Sequence, residues 1–250
     1  MSQLNLLFIK INRLFNRFLN QKLIKICIYV SLITFLPGLL IGVLIAYFFG
    51  PESYNVIDNY ISDLGSISYT PAPFILDAIA MTTACFLVPI FFYITKIIVS
   101  ETKSIIFNSN ESIFKRIYCI NIDLLAFFGL LSLLSGAVGL FGIGLFSEDR
   151  TTELGLHYTF SIIIFAGLAF GALFNGIAVL FKLKKTMFPR FLGLYMMVGP
   201  FIVSILFLFP PNSVIRPFLE WMMLLAAFLW LIPESFLILK NFKSTSTYTG

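Results

Sequence analysis

The sequence predicts an all-α protein, a polytopic membrane bundle of six transmembrane helices. Three observations carry that prediction. Apolar residues make up 59% of the 250, and charged residues only 12%, about half of what a soluble domain carries. The mean hydropathy is +0.96. The apolar residues also fall into six runs, each near the ~20 residues needed to cross a bilayer core of ~30 Å.

An N-terminal segment precedes the spans. Leu4, Leu7, Phe8, Ile11, Leu14, Phe15 and Phe18 recur at helical spacing, with Lys10, Arg13, Asn16, Arg17 and Asn20 opposite. Residues 1–25 therefore read as a basic amphipathic helix in the inner headgroup region, an orientation anchor more than a lipid sensor. The apolar run behind it is too long for a signal sequence and lacks a small-residue cleavage site, so it stays as the first span. The spans read as 26–49, 77–99, 121–146, 157–181, 191–209 and 217–239. Gly199 and Pro200 predict a kink in the fifth, and Glu220 and Glu234 interrupt the sixth. Residues 26–239 form one domain, and 240–250 a tail whose last stretch, STSTYTG, reads as disordered.

Orientation follows from the 17 basic residues. Lys10, Arg13, Arg17, Lys22 and Lys25 precede the first span, and Lys96, Lys103, Lys115 and Arg116 flank the loop after the second. Lys182, Lys184, Lys185 and Arg190 follow the fourth, and Lys240 and Lys243 lie in the tail. Only Arg150 and Arg216 fall on the other side. The positive-inside rule then predicts a cell-membrane protein with both termini in the cytoplasm. Small residues at four-residue spacing mark helix contacts: Gly38 with Gly42, Ser132 with Gly136, Ser135 with Gly139, and Gly167 with Gly171.

The first outer loop, 50–73, contains YNVIDNYISDLG. Tyr54, Ile57, Ile61 and Leu64 recur at helical spacing against Asn55, Asn59, Ser62 and Asp63. That pattern predicts a short helix on the outer mouth of the bundle, apolar face down. Gly65 is placed to end it as a left-handed cap. Other polar groups reach the same level. Asp77 opens the second span, and His157, the only histidine, opens the fourth behind Glu148, Asp149 and Glu153. Glu220 lies one turn inside the sixth. Asp63, Asp77, Glu153, His157 and Glu220 are thus the candidate ligand-binding residues of an outer vestibule, since ionisable groups at span edges usually face a bundle interior or a wet cavity.

Each has a plainer role open to it. Asp63 and Asp77 can cap or salt-bridge, His157 can pair with Glu153, and Glu220 with Arg216. Towards the inner side, Asp123 lies near the face of Arg116. Glu234 lies within about 40° of the face of Glu220 at 100° per residue. The two glutamates read either as a proton or cation path or, more simply, as two ends of a helix snorkelling in opposite directions.

At these positions the chain resembles the six-span bacterial and archaeal membrane proteins known as a domain of unknown function, DUF 998. The matching pieces are ISDLG at 61–65 followed by Pro71, Pro73 and Phe74, GLFSED at 144–149, and His157 heading the fourth span. LEW at 219–221 with Trp230 matches more weakly. Ser147 stands where that family carries proline, and Glu220 is not followed by arginine. The family is distantly similar to DRAM-type and GPI-lipid-remodelling membrane proteins, and the resemblance implies a lipid-linked role.

Several chemistries find no support. There is no phosphate-cradling glycine loop, no His-x-x-x-His or Cys-x-x-Cys pair for a transition metal, and no nucleophile elbow. Neither a cofactor nor a metal is expected, and no residue is assigned a catalytic role. Cys27, Cys85 and Cys119 are odd in number and sit within apolar runs, so no disulfide framework is expected. Membrane lipids are the expected partners, and the basic charge belongs to topology, not nucleic acid. Three functions remain: a protein that binds or organises lipid or a small polar ligand at the outer vestibule; a lipid-headgroup hydrolase or transferase, with His157 as base and Glu220 as acid; or a proton-coupled transporter using Glu220 and Glu234.

Overall fold

A computed structural model describes residues 18–106, 111–183, 187–211 and 216–247. The amphipathic segment up to Arg17 lies outside these residues. Six long helices follow in order: α1 (Gln21–Phe49), α2 (Phe74–Ile106), α3 (Ile113–Leu145), α4 (Leu156–Leu180), α5 (Arg190–Leu208) and α6 (Arg216–Thr247). Each contains a stretch long and apolar enough to cross a membrane, and no strand occurs among the described residues. The chain is an integral membrane protein of six spans.

Local chemistry sets the helix ends. Asn20 caps α1, its Oδ1 accepting the Leu23 N–H at 2.8 Å. The helix therefore begins at Gln21 and carries Lys22 and Lys25 within it. Ser112 caps α3 in the same way through Lys115. Gly155, with φ of +63°, leads the chain into α4; it is the only described residue in the left-handed region, which glycine enters without a Cβ clash. α5 continues unbroken through Pro200. α6 continues to Thr247, so the expected disordered tail is helical over its first four residues.

Consecutive helices pack side by side, and α6 also touches α1 and α4. In lipid, close backbone approach does the work that hydrophobic burial does in water. A Cβ on Gly167 would lie 2.4 Å from the Gly136 nitrogen, and one on Gly139 would lie 2.5 Å from the Ile164 nitrogen. These glycines weld α3 to α4. Gly176 and Gly193 do the same for α4 and α5, and Gly38 seats α1 on Ile79 of α2. The three cysteines are free.

The bundle has two chemically different ends. The loops 50–73 and 146–155 form the acid-rich end. The basic end carries Lys115, Lys182 and Arg190. One apolar core, built on Phe91, Leu133, Met196, Trp230 and Phe242, fills most of the bundle's interior and its basic half. A smaller one, with Tyr54, Ile61, Leu64, Leu76 and Ile79, underlies the acid-rich loop.

Candidate functional site at the acid-rich end

The 54–65 stretch is not the helix its spacing predicts. Its only helical part is a 3-10 turn, Ser62–Gly65, and Gly65 is not left-handed. Short polar side chains explain the difference, because they offer the backbone partners that a helix would otherwise supply. Asn55 Oδ1 accepts the N–H groups of Ile57 and Asp58, both at 2.9 Å. Asn59 Oδ1 accepts the Asn55 N–H at 2.9 Å, and Asp63 Oδ2 accepts that of Tyr60 at 2.8 Å. The expected apolar face survives in part. Tyr54, Ile61 and Leu64 are buried, whereas Ile57 is 61% exposed.

This loop is tied down on both sides. Towards α6, Glu220 Oε2 accepts the Ile61 N–H at 2.8 Å, and the Ser62 N–H also donates to this carboxylate. Beside it, the Trp221 indole N–H donates to the Asn59 carbonyl at 3.1 Å. Towards the second loop, Asp149 accepts the Ser66 hydroxyl at 2.8 Å and the Ile67 N–H at 2.6 Å. That loop contains a second 3-10 turn, Glu148–Arg150. Its arginine reaches down to Asp77, with Nη2 to Oδ2 at 2.5 Å, and to the Gly144 carbonyl at 3.0 Å. Arg150 Nε donates to the Ser147 hydroxyl at 3.1 Å, a contact that proline at this position would lack.

The network converges on Asp63. Its carboxyl also shares a hydrogen bond with Glu148 and lies within electrostatic reach of His157. Burial pushes Asp63 above its ordinary value, against the pull of the Tyr60 N–H and the Asn59 amide. Burial, then the neighbouring Asp63 charge and its hydrogen bond, push Glu148 up to about 7. A proton shared between Asp63 and Glu148 is what two carboxyls this close require. Burial and the charges of Asp63 and Glu220 likewise raise the Tyr54 phenol, which donates to the Tyr60 carbonyl at 3.0 Å.

His157 Nδ1 lies 2.8 Å from the Phe146 carbonyl. A carbonyl only accepts, so Nδ1 carries the proton and Nε2 presents a lone pair in the neutral ring. Among the described residues the buried His157 Nε2 has no hydrogen-bond partner.

Of the five candidate residues, Asp63 and Glu220 share the loop's network, and His157 faces it electrostatically. Asp77 is held one step away through Arg150. Glu153 is exposed, with no hydrogen bond or ion pair among the described residues, and the partner expected of it for His157 is instead the Phe146 carbonyl. Glu220 likewise takes backbone N–H groups rather than Arg216. Sequence reasoning did not assign Glu148, Asp149, Arg150, Asn59 or Trp221 to the site. The signal for them is the GLFSED stretch at 144–149, which sets Glu148 and Asp149 shortly before His157. Among the described residues no three of His, Cys, Asp and Glu are placed to hold a metal ion. No family model, no curated protein and no solved structure matches the chain.

Proposed function

We propose that this membrane protein binds a lipid headgroup, or a small polar ligand of the same chemistry, at the acid-rich end, and that this end faces outwards with both termini in the cytoplasm. One observation carries the binding reading. Among the described residues His157 Nε2 is buried without a hydrogen-bond partner, in the field of the Asp63–Glu148 carboxyl pair. Buried polar atoms are nearly always bonded, so an orphaned nitrogen facing such a pair calls for a third party. A hydroxyl or ammonium group suits them, since the free imidazole nitrogen accepts and the carboxyls favour positive charge. The orientation rests on the 15-to-2 division of Lys and Arg between the faces. The resemblance to DUF 998 and, through it, to lipid-remodelling proteins points the same way.

Native mass spectrometry of the protein extracted with its own lipids tests this. The wild type is expected to retain a defined lipid or headgroup-sized mass that the Asp63→Asn/His157→Ala variant loses. Identical spectra for the two folded proteins would rule the site out. A second reading, a headgroup hydrolase or transferase, is favoured by the free His157 Nε2 beside a proton-sharing carboxyl pair, an arrangement suited to a general base. It predicts that the retained lipid is turned over by the wild type and bound but not converted by His157→Ala.

A further inference from the structure

Far from the acid-rich end, α6 carries a second glutamate. Glu234 lies about 21 Å along the helix from Glu220, at about 1.5 Å per residue, well inside the apolar span. It is 0% exposed, and among the described residues neither carboxyl oxygen has a hydrogen-bond partner. Snorkelling to the basic end is thereby excluded. The helix turns on either side of it place Trp230 and Ile238, both wholly buried, in the large apolar core.

Two more polar groups are left unbonded in that core. Asn175 of α4 is 0% exposed with neither amide atom bonded, and the Trp230 indole N–H is also unpaired. Ala172, Ala178 and Val179 belong to the same cluster as Trp230 and surround Asn175 on its helix face. Measured from the acid-rich ends of their helices, Asn175 and Glu234 lie at closely similar depths, about 28 Å and about 27 Å. The Asn175 side chain occupies the space that a Cβ on Gly129 of α3 would need.

Among the described residues no charged group is bonded to Glu234. The titratable groups of the surrounding core are Cys27 on α1, Tyr93 on α2 and Tyr195 on α5, whose hydroxyl donates to the Ala226 carbonyl. The nearby lysines are engaged elsewhere. Lys25 lies over the Phe242 ring at 5.6 Å, and Lys182 Nζ is bonded to the Ile97 and Ile98 carbonyls. Lys96 is exposed. A bare carboxylate in such surroundings is costly.

We propose that Glu234 is a proton-binding site in the bundle interior, distinct from the acid-rich site, which takes its proton from water and returns it while the bundle stays folded. A proton is the one positive ligand that needs no cavity. Trp230, one turn away on the same helix, carries the unpaired indole N–H that could serve the ionised carboxyl.

Infrared difference spectroscopy on the full chain in bilayers reads this site directly. The wild type at neutral pH is expected to show the carbonyl stretch of a carboxylic acid in dry surroundings. That band should persist in Glu220→Gln, vanish in Glu234→Gln and shift in D2O before the amides of the spans exchange. If Glu234→Gln fails to fold, Glu234→Asp should move the band without abolishing it. Absence of the band from the wild type would overturn the proposal, because the carboxyl would then be ionised against another cation. A band indifferent to D2O in the folded protein would also overturn it, because the proton would be sealed in.

Discussion

Two glutamates on one helix, both hidden from solvent, live in opposite circumstances. Glu220 is 6% exposed and receives two backbone N–H groups from the 61–62 turn. Glu234 is 0% exposed and receives nothing. Burial is therefore not what distinguishes them. Glu220 is the bolt that fastens the first acid-rich loop to α6, and removing it would strand two donors. Glu234 holds nothing together, so its persistence in an apolar core is a cost to the fold. A buried carboxyl with its bonds made serves structure, whereas one without them points to function.

Substituting each by leucine should break this comparison most visibly. Glu220→Leu is expected to destabilise the protein by about 3 kcal/mol, from lost charge-assisted bonds and stranded N–H groups. Unfolding in bicelles, read beside proteolysis within 50–73, measures this. Equal stability of the two leucine variants would erase the contrast.

A smaller effect is expected at Asp77. Arg150→Ala leaves the Asp77 carboxylate without its ion pair, at a cost of about 1–2 kcal/mol because the guanidinium is half-exposed. Adding Asp77→Asn should recover part of that loss. A double variant weaker than Arg150→Ala would show that Asp77 is held chiefly by other groups.

Glu234→Leu should change stability by less than about 1 kcal/mol, or raise it, since replacing an unsatisfied buried acid by an apolar side chain removes a desolvation penalty. A large destabilisation here would mean that the carboxyl has a structural partner.

The smallest effect is a pH slope. Glu148 is raised from 4.5 to about 7, so the folded state holds its proton over a range in which the unfolded chain has lost it. Its contribution to stability is whole below about 4.5 and declines as pH rises towards about 7. Melting temperature should accordingly fall across that window, and Glu148→Gln should flatten the fall. An unchanged slope in the variant would transfer the titration to Asp63.

The spans were legible because each helix satisfies its own backbone and needs only a long apolar run to be stable in lipid. Most of their ends were legible to within three residues, but α1 and α3 start five and eight residues earlier, where Asn20 and Ser112 cap them, and α2 and α6 run seven and eight residues further. The 54–65 stretch misled because its helical spacing of apolar residues is real, yet Asn55, Asn59 and Asp63 bond to nearby backbone and break the helix into turns. Asp63 and Glu220 could be nominated from their positions at the edges of spans. That Glu148 would share a proton with Asp63, or that Arg150 would reach Asp77 across 73 residues of sequence, could not, because no local pattern encodes which loop folds over which helix.

By itself the sequence determined what depends on composition and local period: a six-span membrane bundle, its glycine-lined helix contacts, and a segregation of acids from bases. The tertiary structure alone decided which buried groups are bonded. Glu220 and Glu234 look alike along the chain, nearly in phase on one apolar helix, and only the approach of a loop from 159 residues away makes one of them an anchor. Hydrogen bonds act over about 3 Å, so their partners are fixed by where distant segments meet.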